Sequence, residues 1–258
     1  MKLTDTHAHL YLPHFKGDLD QVVSRAKDNG VTCILLPNID NGSLRPMLDV
    51  CSLYPGFCLP MLGLHPTSVK KDYTTKLESL EKQAGAASYV AIGETGMDAH
   101  WDTSHIEEQE ASFRRHLDWA IELKLPVVIH SRKTTDIIIS ILKDGYSGRV
   151  RGVFHAFSGS TEQAREITGM GFMLGIGGVV TYPRSGLADV IKETGLEHII
   201  IETDAPYLTP VPKRGKRNES SYLIYIAGKI AQISETDASQ VAATTTRNAF
   251  NLFKLNGR

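Results

Sequence analysis

The sequence predicts an α/β fold, a (β/α)₈ barrel of the TIM type. Three observations point there. Eight short apolar runs with strand character alternate with helical segments along the chain. No change of composition marks a linker, so residues 1–258 read as one domain. The length of 258 residues, 41% of them hydrophobic, matches the roughly 250 residues such a barrel takes.

The first strand is the short run Lys2 to Thr6, and Asp18 to Asn29 reads as a helix ended by Gly30. Val31 to Leu36 is continuously apolar and β-branched, as a parallel strand covered on both faces requires. A helix around Leu44 to Leu53 precedes a third strand over Phe57 to Leu64, which Pro60 interrupts because proline cannot donate to a ladder. A polar helix near Thr75 to Gln83 leads to strand four, Tyr89 to Glu94, and Met97 to Asp102 reads as a loop. The amphipathic segment Ser104 to Lys124 keeps helical spacing through Phe113, Leu117, Ala120 and Ile121.

Strand five is Pro126 to His130, followed by helix Thr134 to Leu142 and strand six, Val150 to His155. Helix Thr161 to Thr168, strand Phe172 to Ile176, helix Gly186 to Glu193 and strand Ile199 to Asp204 continue the alternation. Helices over Ser221 to Ile233 and Ala238 to Phe253 close the chain. Strand one is short and polar and strand seven is glycine-rich, so a seven-stranded or otherwise distorted barrel stays open.

Charged residues make up 22% at a net charge of −1, so nucleic-acid binding would need a local basic patch or metal-borne charge. Three cysteines without CxxC spacing read as thiols in a reducing compartment. No signal-peptide pattern follows Met1, and no apolar run approaches the roughly 20 residues that span a bilayer. The expected location is cytoplasmic, without membrane contact, and nothing points to an obligate protein partner.

The chemistry sits at the strand ends. His7 and His9 end the first, His65 the third, Glu94 the fourth, His130 the fifth, His155 the sixth and Asp204 the eighth. In a barrel these carboxyl ends share one rim, where the βα loops build the site. A single histidine there is usually a packed residue. A set of histidines with two carboxylates suits divalent metal ions. The candidates exceed one tetrahedral sphere, so two ions sharing Glu94 is the economical reading, with His7, His9 and Asp204 at one and His130 and His155 at the other.

Asp5-Thr6-His7-Ala8-His9, Gly63-Leu64-His65-Pro66, Gly93 to Asp98, His130-Ser131-Arg132, His155 to Gly159 and Glu202 to Leu208 together resemble the TatD family of metal-dependent deoxyribonucleases. The resemblance covers nearly the whole chain. It implies a TIM-barrel hydrolase of the amidohydrolase-like group that uses magnesium, manganese or zinc on DNA, single-stranded DNA included, with exonuclease activity in some members. It implies metal ligation by His7, His9, Glu94, His130, His155 and Asp204, and catalytic roles for Asp204, as proton acceptor, and bridging Glu94. His65 and Arg132 are similar to phosphate-contacting positions, and Arg217-Asn218-Glu219 matches the family's Arg-Asn-Glu. Ser220 stands where the family often has proline, and Lys133 where it often has an acid, which touches substrate contacts more than the metal centre.

Lys133, Arg184 and the cluster Lys213, Arg214, Lys216 and Arg217 could meet a nucleic-acid backbone, and Trp101 or Tyr207 could stack on a base. The same scaffold could serve ester or amide substrates such as aminoacyl-tRNA. It could also be a non-catalytic nucleic-acid-binding barrel, which would predict a broken ligand set.

Overall fold

A computed structural model describes residues 1–100 and 102–255; Trp101 lies outside the described residues. Eight parallel strands follow in chain order: β1 (Leu3–Asp5), β2 (Val31–Leu36), β3 (Cys58–Pro60), β4 (Ile92–Asp98), β5 (Val127–Arg132), β6 (Gly152–Phe154), β7 (Met173–Ile176) and β8 (Ile199–Ile201). Strands β1 to β3 and β4 to β8 form two continuous ladders. Backbone bonds cross both seams. Gly93 N–H donates to Leu62 at 2.8 Å on one side, and Thr6 N–H to Ile201 at 3.2 Å on the other. Parallel bridges Leu62–Ile92 and Ala8–Ala205 lie at the same seams. The ring therefore closes with a pinch at each seam, and eight is the strand count among the described residues.

The helices are α1 (Leu19–Asp28), α2 (Asn41–Leu53), α3 (Tyr73–Glu81), α4 (Ile106–Leu123), α5 (Thr135–Gly145), α6 (Thr161–Gly169), α7 (Leu187–Thr194), α8 (Leu223–Ile233) and α9 (Ala238–Phe253). Local chemistry sets several starts. Asp40 accepts from Ser43 N–H at 2.8 Å while the Ser43 hydroxyl accepts from Asp40 N–H, a reciprocal cap that opens α2. Ser160 and Gln163 repeat the device at α6.

Strand parity decides which side chains see the barrel interior. Cys33, Leu35, Val128, Val153 and Ile200 form the inner cluster, with Ala249, Leu252 and Phe253 of α9 packed on it. Ile34, Leu36, Val127, Ile129, Phe154, Ile199 and Ile201 belong to the outer cluster, which runs between strands and helices. Two residues on from Val128, Val153 and Ile200 stand His130, His155 and Glu202, and the same parity brings them to the interior.

Strand β4 departs from expectation. It begins later than Tyr89 and runs past Glu94 to Asp98, because Thr95, Gly96, Met97 and Asp98 pair with Ile129, His130, Ser131 and Arg132 of β5. Met97 and Asp98, the first two residues of the segment that reads as a loop, are buried strand. Gly96 permits this approach: at φ +136° its missing Cβ would lie 2.1 Å from the His130 carbonyl oxygen. Strand β3 is shorter than expected, ending at Pro60, and the chain then crosses to β4 through single bonds rather than a ladder.

Candidate metal centre

Glu94 lies 2% exposed at the centre of the rim, and its two oxygens face different groups. Oε2 is 3.1 Å from His7 Nε2 and 3.7 Å from His9 Nε2. Oε1 is 2.7 Å from His155 Nε2, 2.9 Å from His130 Nδ1 and 3.2 Å from His65 Nε2. Asp204 Oδ1 closes the first group, 3.4 Å from His9 and 3.7 Å from His7. The rings of His7 and His155 stack at 3.9 Å and join the two halves. His7, His9, Glu94, His65, His130, His155 and Asp204 are thus brought into one cup, in three overlapping groups of metal-binding geometry.

The ring orientations fit a cation. Tyr11 OH donates to the Pro37 carbonyl at 2.5 Å, so at His9 Nδ1, 2.9 Å away, it must accept. That fixes the proton on Nδ1 and turns a lone pair of His9 Nε2 into the cup. Asp98 Oδ2 lies 2.9 Å from His130 Nε2 and leaves Nδ1 for the cup. Glu202 Oε1 lies 3.5 Å from His155 Nδ1 and accepts from Ala156 N–H at 2.5 Å. Outer acceptors that hold imidazoles by one nitrogen and free the other are the usual support of metal-binding histidines. His7 and His9 also face each other Nε2 to Nε2 at 3.3 Å, and His130 Nδ1 faces His155 Nε2 at 3.4 Å. Such pairs converge as donors to a shared cation would.

The charges agree. Burial pushes the Glu94 carboxyl up, but His155, His65 and His7 outweigh it and hold it well below the carboxylate range. Burial also opposes charge on Asp204, yet His9 and His7 keep its pKa low. At Asp98, His130 and the His100 N–H overcome burial and bring the pKa to about 2. Burial lowers His7 and His65, the former with help from His155. Burial opposes charge on His130 and His155 as well, but the facing carboxylates raise both, His155 strongly. Glu94, Asp98 and Glu202 thus make a field that favours positive charge in the cup.

The cup opens into a cavity of about 680 Å³ whose lining includes Thr67, Ser131, Arg132, Val179, Tyr207 and Leu208.

Arg217 and Asn218 are placed elsewhere, and neither lines this cavity. The Arg217 guanidinium makes two 2.7 Å bonds to Asp18 and one of 2.6 Å to the His14 carbonyl, so it ties the 217 segment to the start of α1. Asn218 is fully buried, and its amide donates to the carbonyls of Thr203 at 2.7 Å and Tyr207 at 2.6 Å. Asn218 braces the Asp204 loop and Arg217 the start of α1, and neither side chain lines the cavity. Lys213 and Arg214 of the basic cluster lie over the rings of Tyr222 and Tyr182.

Asp98, Glu202 and Tyr11 went unnoticed in the sequence. For Glu202 the signal was there, in the parity of Ile200.

The TatD-related DNase family model matches residues 4–254. The chain is 38% identical over 255 residues to an uncharacterized metal-dependent hydrolase, YabD, of Bacillus subtilis, covering 98% of this chain and 100% of that protein. It is 35% identical over 257 residues to the 3′-5′ ssDNA/RNA exonuclease TatD of Pectobacterium atrosepticum, covering 97% and 99%. Among solved structures, the TatD homologue YjjV of Escherichia coli superposes with a TM-score of 0.91 at 31% identity over 98% of both chains. A TatD-family hydrolase of Entamoeba histolytica, at 24% identity and a TM-score of 0.85 over 98% of both chains, shares the fold.

Proposed function

The chain belongs to the TatD-related DNase family, and from that premise we propose that it is a metal-dependent phosphodiesterase that shortens single-stranded DNA from an end. The observation that carries this reading is the division of Glu94. One oxygen faces His7 and His9, the other His65, His130 and His155, as a carboxylate shared by two cations would. In this reading His7, His9, Glu94, His130, His155 and Asp204 hold two divalent ions, magnesium, manganese or zinc, within one domain spanning residues 1–258. The exonuclease relative supports a nucleic-acid substrate. No helix among the described residues is long and apolar enough to cross a membrane.

Such ions, when bound, acidify water and withdraw charge from a phosphoryl group. The chain's own groups divide the remaining work. Asp204 stays ionised beside His9 and His7 and serves as the proton acceptor. Arg132 offers a planar fork of donors to the non-bridging phosphoryl oxygens. His65 receives the Thr67 N–H at Nδ1, 3.2 Å away, so its Nε2 can donate toward the same oxygens or toward Glu94. Asp98 keeps the His130 ring from turning, and Glu202 sets a carboxylate beside His155 Nδ1.

The test is digestion of end-labelled single- and double-stranded DNA and RNA with magnesium, manganese or zinc, beside Asp204→Asn. We expect stepwise shortening of single-stranded DNA by the wild type. Asp204→Asn should lose at least about a hundredfold in rate with an unchanged circular dichroism spectrum. If no strand is cut while aminoacyl or other carboxyl esters are, the substrate assignment is wrong. Binding without hydrolysis of either would leave a non-catalytic barrel.

A further inference from the structure

The cavity above the cup has two unlike sides. Imidazole, carboxylate, hydroxyl and guanidinium groups make up most of its lining, with Ile39 and Ala156 among them; Val179, Tyr207 and Leu208, from the loops after β7 and β8, add a largely apolar flank. We infer that this apolar flank is a platform for the base of the nucleotide being released, with the Tyr207 ring as its stacking surface. The inference rests on the phosphodiesterase reading above and adds how the strand end is gripped.

Tyr207 is 49% exposed, one of few large apolar side chains so placed among the described residues. It is held nonetheless. Its N–H donates to the Asp204 carbonyl at 2.8 Å, and its carbonyl accepts from buried Asn218 at 2.6 Å. The rings of His9 and His14 make edge-to-face contacts with it at 6.4 and 6.2 Å, and the residue itself lines the cavity. The loops beneath are interlocked: Tyr182 OH donates to the Thr209 carbonyl and Val211 N–H to the Thr181 hydroxyl, both at 2.9 Å. A half-exposed aromatic on a braced loop is a preformed surface that needs little ordering when a ligand arrives.

The flank suits a base and not a phosphate. Val179, Tyr207 and Leu208 supply no cation to hold a phosphate. Every base has an apolar face, so stacking grips a strand end without reading its sequence. Tyr207 follows Asp204 by three residues, so the base it holds belongs to a nucleotide flanking the scissile phosphate.

The test uses a labelled single strand with one abasic nucleotide placed in turn at the first, second and third positions from the attacked end. Wild type, Tyr207→Phe and Tyr207→Ala are compared by kcat/KM. For the wild type we expect a loss of about tenfold at the first position, in line with the worth of a base–aromatic stack; a loss confined to the second or third position refutes the platform. Tyr207→Phe should keep that ratio of intact to abasic strand, and Tyr207→Ala should bring it near one. The platform is refuted if the wild type ignores the missing base at every position, if Tyr207→Ala keeps the full ratio, or if Tyr207→Phe loses it. A wild type that cuts no intact strand removes the phosphodiesterase reading itself, and the platform with it. Cutting that is indifferent to the base refutes the platform alone.

Discussion

Asp98 Oδ2 lies 2.9 Å from His130 Nε2, on the opposite side of the ring from the nitrogen that faces Glu94. His130 is therefore a spacer between two carboxylates, and Asp98 sets both its orientation and its tautomer. Asp98→Asn keeps the shape, but its amide can present either an oxygen or an NH₂ group to the ring. We expect a 10–100-fold loss of divalent-metal affinity by titration calorimetry, with a parallel loss of activity at limiting metal. Unchanged affinity would show that His130 orients itself.

Arg217 and Asn218 are adjacent in sequence, and the structure separates their effects. Asn218→Ala strips two carbonyls, those of Thr203 and Tyr207, of a buried donor. The expected cost is about 2–3 kcal/mol in urea denaturation, with lowered kcat because the Asp204 loop loosens. Arg217 is more exposed, and its pair with Asp18 is worth about 1 kcal/mol or less. Arg217→Ala should leave the salt dependence of DNA binding unchanged. A shallower salt slope would show that Arg217 meets a phosphate after all.

His116 gives a pH prediction away from the cup. Its Nε2 accepts from Leu64 N–H at 3.0 Å and its Nδ1 faces the Ser112 carbonyl at 2.7 Å, so the folded ring is neutral. Burial pushes its pKa down to about 4 from 6.5. Between those values the unfolded chain binds the extra proton, so this contribution is complete above pH 6.5 and is lost as pH falls toward 4. The loss is roughly 3 kcal/mol. His116→Gln offers one acceptor and one donor without titrating. Denaturation midpoints should fall less steeply over this range for the variant than for the wild type.

Much of this was legible in the chain. Continuous apolar runs such as Val31 to Leu36 and Ile199 to Ile201 announce buried parallel strands, and histidines that end such runs announce a shared rim. What escaped depends on partners that no local pattern names. Thr95 to Asp98 lacks apolar alternation because its burial comes from pairing with β5 and the close approach at Gly96, so Asp98 reads as loop. Arg217 and Asn218 are residues of the kind that meet nucleic acid, and only the fold shows that their side chains bond Asp18 and the Thr203 carbonyl and stand away from the cavity.

Glu94 and His9 differ in what their loss removes. His9 faces one oxygen each of Glu94 and Asp204, whereas Glu94 faces every imidazole of the cup. His9→Ala should release one of two ions and leave the group around His65, His130 and His155 able to hold the other. Glu94→Gln replaces the shared anion by a neutral amide and should weaken both. Metal content after dialysis, read by atomic emission, is expected near one ion per chain for His9→Ala and near none for Glu94→Gln, against two for the wild type. Activity of His9→Ala should return in part at high metal concentration, since one face of its site remains; Glu94→Gln should not recover. Equal metal loss in the two variants would mean that the ions bind as one unit and that Glu94 is not the element dividing them.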